Sequence, residues 1–322
     1  MRDFGVVSWR GGLNWLEDPM PHTPITCLLE AKNKLGEACL WDVEGQCLWW
    51  LDIAPISKLH ILDPVTGATR HWTFSMMLTC FALAADNRLL IGGELGLFFF
   101  DPATGALTEF ARPEIDRPQN RGNDGAADGN GHFWFGTMQQ NIAADGSDLD
   151  ITQDSGALYR VGLDGVSKLA LDKVGVSNGP CWSPDNTIFY FSDSRNQIIW
   201  AFDFDLATGN LSNQRIFNDS KNHGYPDGAT VDADGFLWSA RWDGSCVLRI
   251  DPKGRIDRIV PMPVTRPTCV VFGGPKLDTI YITSSAAHLA GPELKQKPLS
   301  GGIFCFNPSV TGNAKYKFGG AA

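Results

Sequence analysis

Short runs rich in β-branched and aromatic residues recur along the chain, each bounded by turn residues. They read CLWWLDI (47–53), RLLIGGELGLFFFD (88–101), HFWFGTM (132–138), IFYFSDS (188–194), FLWSARW (236–242) and IYITSS (280–285). Runs of this composition, split by turn residues, predict short strands. The joins between them are Asp/Gly-type turns suited to tight hairpins: VEGQ (43–46), DGNG (128–131), SPDN (183–186) and DADG (232–235). A second phrase, DPVTGA (63–68), DPATGA (101–106), DLATGN (205–210) and DPKG (251–254), marks the later hairpins. It is turn chemistry, with Pro presetting φ and Gly taking positive φ. No segment carries helical periodicity over a useful length.

The strands belong to a longer repeat. Six copies of one pattern begin GE-ACLWD (Gly36), LT-CFALA (Leu78), GN-DGAAD (Gly122), SN-GPCWS (Ser177), PD-GATVD (Pro226) and PT-CVVFG (Pro267). Their second positions are polar: Glu37, Thr79, Asn123, Asn178, Asp227 and Thr268, spaced 41 to 55 residues apart. Four residues after each comes an apolar residue, Trp41, Leu83, Ala127, Trp182, Val231 or Phe272. A strand-and-turn repeat of this length predicts an all-β, six-bladed β-propeller. Equivalent positions of a radial fold face one axis, so the six polar side chains are expected to meet there. The longest interval contains an insertion, QQNIAADGSDLDITQDSG (139–156), expected as a loop over one face, and 286–300 is expected as a second long loop. ITCLLE (25–30) reads as a strand that completes the last blade and closes the ring. The expected organisation is an N-terminal extension, 1–24, and one propeller domain, 25–322.

Composition changes this picture little. The chain has 322 residues, 43% apolar, with 11 Trp and 19 Phe, ample for a core. A net charge of −9 and the lack of any basic run argue against nucleic acid as a partner. The eight cysteines form no CxxC or Cys/His metal spacing, and several sit in apolar strands, as small buried residues of a reducing compartment do. The N-terminus has no continuous apolar stretch, and no run is long enough to span a membrane. A cytoplasmic protein, monomeric or a small homo-oligomer, is expected.

Glu37, Asn178 and Asp227 are all good oxygen donors. They suit a hard divalent cation such as Ca²⁺, Mg²⁺ or Mn²⁺; as polar strand starters they equally suit a wet channel. Arg121 stands two residues before Asn123 and so should share its side of the strand. It is placed to grip a ligand carbonyl or hydroxyl pair, or else to pair with Asp124 or Asp128. GVSNG (175–179) matches a nucleophile elbow but is followed by PCWSPDN, a strand and turn rather than the required helix. The six histidines form no metal-ligand spacing, and His223, just before YPDG, belongs on the surface or the rim. DADG (232–235) lacks the spacing and terminal Glu of a calcium loop.

Together LGEACLWD (35–42), RGNDGAADGNGHFWFGTM (121–138), VSNGPCWSPDNTIFYFSDS (176–194) and YPDGATVDADGFLWSARW (225–242) resemble the gluconolactonase/regucalcin (senescence marker protein) family. The phrases NGPCWSPD, YPDG and FGGPKLDTIYIT look closest to its bacterial aldonolactonases, such as xylonolactonases. The resemblance covers about 34 to 308, with the motifs in order. It implies a six-bladed propeller with one divalent cation in the central channel, held by Glu37, Asn178 and Asp227. Ca²⁺ or Zn²⁺ is the first expectation, with Fe²⁺, Mn²⁺ and Mg²⁺ as others. It implies Arg121 and Asn123 as substrate contacts and a small-molecule sugar lactone, pentono- or hexonolactone, as substrate. Asp227 is the candidate general base. The same scaffold also admits an aryl-ester or organophosphate hydrolase, or a non-enzymatic ion-binding propeller. Two departures, Ala38-Cys39 after Glu37 and SSAAHL at 284–289, bear on the pocket rim.

Overall fold

The computed structural model describes residues 24–54 and 56–320; nearly all of the expected N-terminal extension lies outside them. The described strands form six four-stranded antiparallel sheets arranged as a β-propeller. Blades one to five each use four consecutive strands, and their innermost strands are Gly36–Asp42, Leu78–Leu83, Asn120–Ala127, Ser177–Trp182 and Tyr225–Val231. The sixth takes Pro267–Gly273, Thr279–Ser284 and Ile303–Phe306 from the end of the chain and Thr26–Leu29 from its start. Thr26 pairs with Cys305 and Leu29 with Ile303, so the N-terminal strand closes the ring as expected. One short helix, Gly291–Gln296, sits in the second long loop.

The continuous apolar strands are explained by where the core lies. Each successive pair of blades encloses its own apolar cluster. Trp134 and Leu158 of blade three meet Trp182, Phe189 and Phe202 of blade four. Trp238 and Val247 of blade five meet Phe272 and Phe304 of blade six. Blade six then meets blade one through Val271 and Tyr281 against Trp41 and Trp50. A strand inside a blade therefore buries both faces, and sequence alternation disappears.

Two of the inner-hairpin turns carry a second load. In DGNGHFW, Asp128 is fully buried; it accepts from Trp134 Nε1 (2.9 Å), Arg160 Nε (3.1 Å) and two backbone N–H groups. In DADGFLW, Asp232 is likewise buried; it accepts from Trp238 Nε1 (2.9 Å), Arg249 Nε (2.9 Å) and the N–H groups of Asp234 and Phe236. The DADG phrase is thus a blade-internal staple and not a cation loop. The DPxTG phrase is also local: Asp63 accepts from Val65 N–H and Thr66 Oγ1, and Gly67 has φ 73°. The turn at Asp101, Thr104 and Gly105 repeats it.

Both ends of the channel are crossed by irregular chain. The 139–155 insertion leaves blade three and reaches blade six, opposite in the ring, where His288 Nδ1 meets Asp148 Oδ2 at 2.7 Å. Lys34 Nζ, at the junction of blades six and one, donates to Gly146 O at 3.3 Å. On the far face the C-terminal tail runs from blade five (Ala233 N–H to Thr311 O, 2.8 Å) to blade two (Ala85 N–H to Phe318 O, 2.9 Å).

Candidate active site

The six polar positions are placed by a backbone device repeated in every blade. Each innermost hairpin has a pairing irregularity at that position: Glu37/Leu40, Leu78/Cys80, Gly122/Gly125, Asn178/Cys181, Pro226/Ala229 and Pro267/Val270. A bulge frees the strand from its neighbour and re-aims a side chain. Ala38 and Gly179, each following a candidate ligand, take positive φ of 50° and 56°. A Cβ on Gly179 would sit 2.9 Å from Asp227 O, so this crossing of two inner strands needs glycine.

Five of the six polar residues, Glu37, Thr79, Asn123, Asn178 and Asp227, line one cavity of about 460 Å³ at the mouth of the channel. Thr268 does not. Its hydroxyl contacts Gly36 O at 2.5 Å and Thr283 Oγ1 at 2.8 Å, tying blade six to blade one instead of facing the axis. The expectation that all six meet is corrected to five.

Hydrogen bonds fix the orientation of the floor. Asn178 Nδ2 donates to Ser194 Oγ (2.8 Å), and Ser194 Oγ donates to Pro226 O (2.5 Å). That leaves Asn178 Oδ1 as the group turned inward, where Asn123 Nδ2 reaches it at 3.0 Å. Arg121 is buried and pairs with neither Asp124 nor Asp128. Its guanidinium donates to Asn123 Oδ1 (2.8 Å) and, through Nε and Nη2, to Asn141 Oδ1 (3.0 and 2.7 Å). It therefore braces Asn123 while lining the cavity.

The carboxylates are set against one another. Burial first, then the charge of Asp124, raise the Glu37 pKa, although the Ala38 N–H (2.8 Å) and a hydrogen bond with Asp227 oppose this. Burial, then Glu37, then Asp124 raise that of Asp227. Arg121 is lowered to about 10 by the same burial. Two carboxyl groups hydrogen-bonded in a low dielectric must share a proton or a cation. Among the described residues no cluster of three or more His, Cys, Asp or Glu has metal-binding geometry. The third donor here is an amide oxygen, and two carboxylates with one amide fit a hard divalent cation.

Some site residues carried no sequence signal of their own. Asp124 borders both this cavity and a smaller one beneath it, and accepts from Gly125 N–H (2.7 Å) and Gly179 N–H (2.8 Å). The sequence marked it only as a neighbour of Asn123 and a possible partner of Arg121. Ser194 and Asn141 are visible only through their partners. Ser177, the elbow decoy, is fully buried within strand Ser177–Trp182, and its hydroxyl lacks a hydrogen-bond partner. His223 does not line the cavity; its carbonyl accepts from Arg241 Nε at 3.1 Å, while His288 stands at the mouth. All eight cysteines are free thiols. No described helix is long and apolar enough to cross a membrane.

Ser194→Ala is expected to weaken divalent-cation affinity by about 10- to 100-fold, because the Asn178 amide, a candidate ligand, loses its anchor. Cation titration of the purified variant measures this, and its circular dichroism should be unchanged.

This fold and floor define a class, and the comparisons agree. Residues 35–286 match the family described as SMP-30/Gluconolactonase/LRE-like region, and the chain belongs to that family. It is 34% identical over 299 residues to a 6-deoxy-6-sulfogluconolactonase of Pseudomonas putida, covering 92% of this chain and 99% of the relative. It is 32% identical to a putative sugar lactone lactonase, YvrE, of Bacillus subtilis, covering 91% and 98%. The crystal structure of regucalcin, a calcium-binding protein from Agrobacterium tumefaciens, superposes with a TM-score of 0.84 at 30% identity, covering 92% and 98%.

Proposed function

We propose that the protein is a metal-dependent sugar lactonase, opening a pentono- or hexonolactone to the aldonic acid in the cytoplasm. The observation that carries this reading is the pairing of half-buried Glu37 with buried Asp227 beside the inward-turned Asn178 oxygen. Relatives named as lactonases support it. Glu37, Asn178 and Asp227 would hold one divalent cation, Ca²⁺ or Zn²⁺ before Fe²⁺, Mn²⁺ or Mg²⁺. When bound, such an ion withdraws electron density from a lactone carbonyl and favours the tetrahedral oxyanion.

The chain's own residues do the rest. Asn123 and Arg121 grip and orient the lactone from one side of the floor. Asp227 accepts the proton of the attacking water at a carboxylate oxygen. Water oxygen bonds to the carbonyl carbon, the bond from that carbon to the ring oxygen breaks, and the proton passes to the departing oxygen. The product is the open aldonic acid, with one water consumed.

The test is proton release on pentono- and hexonolactones by chelated protein reloaded with each of the five ions. Metal-restored opening well above the spontaneous rate is the expected result. Silence on every lactone with every ion sinks the reading and leaves the aryl-ester or organophosphate hydrolase, then an ion-binding propeller. Arg121→Lys is expected to lower kcat/KM by about 10- to 100-fold with the cation still bound, since an ammonium cannot bridge Asn123 and Asn141. Steady-state kinetics beside metal analysis checks it.

A further inference from the structure

The cavity's two halves differ in chemistry. Its floor is polar, whereas the wall toward the mouth is built by Leu35, Ile53, Ile142, Ile151, Val176 and Trp242. Two of these, Ile142 and Ile151, come from the insertion that crosses the channel. The crossing is fixed at several points. Leu149 N–H donates to Asn141 O (2.9 Å), Gln139 Oε1 accepts from Thr152 and Gln153 N–H, and Ile142 packs against the apolar cluster between blades one and two. The indole of Trp242 is clamped between the Arg266 guanidinium, 4.8 Å from its ring, and the imidazole of His288.

The charged groups beside this wall are engaged with protein: Arg195 pairs with Asp154, and His288 with Asp148 at 2.7 Å. A lactone whose carbonyl lies on the floor points its opposite, exocyclic end at this wall. A hydroxyl there loses water and gains little, while a methyl group fills apolar surface.

We infer that the insertion makes the site selective for ω-deoxy aldonolactones, whose exocyclic end is a methyl group, over their hydroxymethyl counterparts. The inference rests on the lactonase reading and names the substrate class within it. An apolar wall rejects an added hydroxyl only moderately, so the expected preference is about 10- to 100-fold in kcat/KM.

The experiment uses the metal-loaded full chain and two matched pairs: L-rhamnono-1,4-lactone against L-mannono-1,4-lactone, and D-fucono-1,4-lactone against D-galactono-1,4-lactone. Each pair differs only in CH₃ against CH₂OH. The methyl member is expected to be opened faster in both pairs. Ile142→Asn and Ile151→Asn, made singly and together, should bring the ratio toward one by raising kcat/KM for the hydroxymethyl member. A hydroxymethyl lactone opened as fast as its methyl partner in either pair overturns the inference, as does an unchanged ratio in the folded double variant. Failure of the lactonase reading looks different: none of the four, nor glucono-1,5-lactone, is opened with any ion, and the inference falls with it.

Discussion

Glu37→Gln is expected to lose its bound divalent cation and at least ~10³-fold of its lactone turnover, a loss of several kcal/mol in transition-state stabilisation. Elemental analysis after gel filtration and initial rates on the best lactone measure both. The reason is the floor itself. Half-buried Glu37 and buried Asp227 are set against each other, with the Asn178 amide held oxygen-inward by Ser194, and removing one charge removes the main attraction for a cation there. Asp227→Asn should behave alike, and full activity in that variant would remove Asp227 as the general base.

The same residues make the chelated protein pH-sensitive. A carboxyl whose folded pKa is raised binds more protons in the native state than in the unfolded one. Stability is therefore lost as pH rises from the ordinary carboxyl range toward about 8, the value reached by Glu37. Thermal melts of the chelated wild type should fall over that window. The Glu37→Gln slope should be shallower, and at pH 8 this variant should melt no lower than the chelated wild type.

The largest expected loss of stability lies far from the floor, at Asp232. Its carboxylate is fully buried and serves Trp238 Nε1, the Arg249 guanidinium and two backbone N–H groups. Asp232→Ala removes the acceptor of the indole and of both N–H groups, and leaves the Arg249 guanidinium its pair with Asp257 (2.8 Å). Removing one partner of a buried ion pair costs about 3–5 kcal/mol, which in a chain of this size lowers the melting temperature by roughly 4–7 °C. Differential scanning fluorimetry of the metal-loaded variant is the check. A drop of only a degree or two would mean that water takes over the orphaned donors. Asp128→Ala, removing the equivalent staple in blade three, should cost a similar amount.

The six blades and most of the floor were legible before any coordinates, because a radial repeat turns sequence spacing into spatial convergence. Glu37, Asn123, Asn178 and Asp227 all stand at the repeat's second position, and all four line the cavity. Thr268 misled because a small hydroxyl serves a strand start and an inter-blade bond equally well. The destination of the insertion was not legible. Its attachments at Gly146 and Asp148 are single contacts to residues 34 and 288, made by irregular backbone with no period to read. Asp124 was read only as a possible partner of Arg121 because it lies one place beyond the repeat position; the pairing irregularity between Gly122 and Gly125 spans it where it lines the cavity.

Ring closure has a consequence for how the molecule is made. Leu29 and Ile303 are paired although more than 270 residues separate them. On the ribosome the first strand must wait, its edge unsatisfied, until Ile303–Phe306 has been synthesised. Blades one to five can fold in order as they emerge, since each is a contiguous meander. The sixth, and the tail that spans the far face from blade five to blade two, form only once residues 303–318 have emerged. A nascent chain stalled before residue 303 would carry a complete set of cavity-lining polar residues on an arc that nothing holds shut, so catalytic competence should appear abruptly with the closing strand rather than accrue with length.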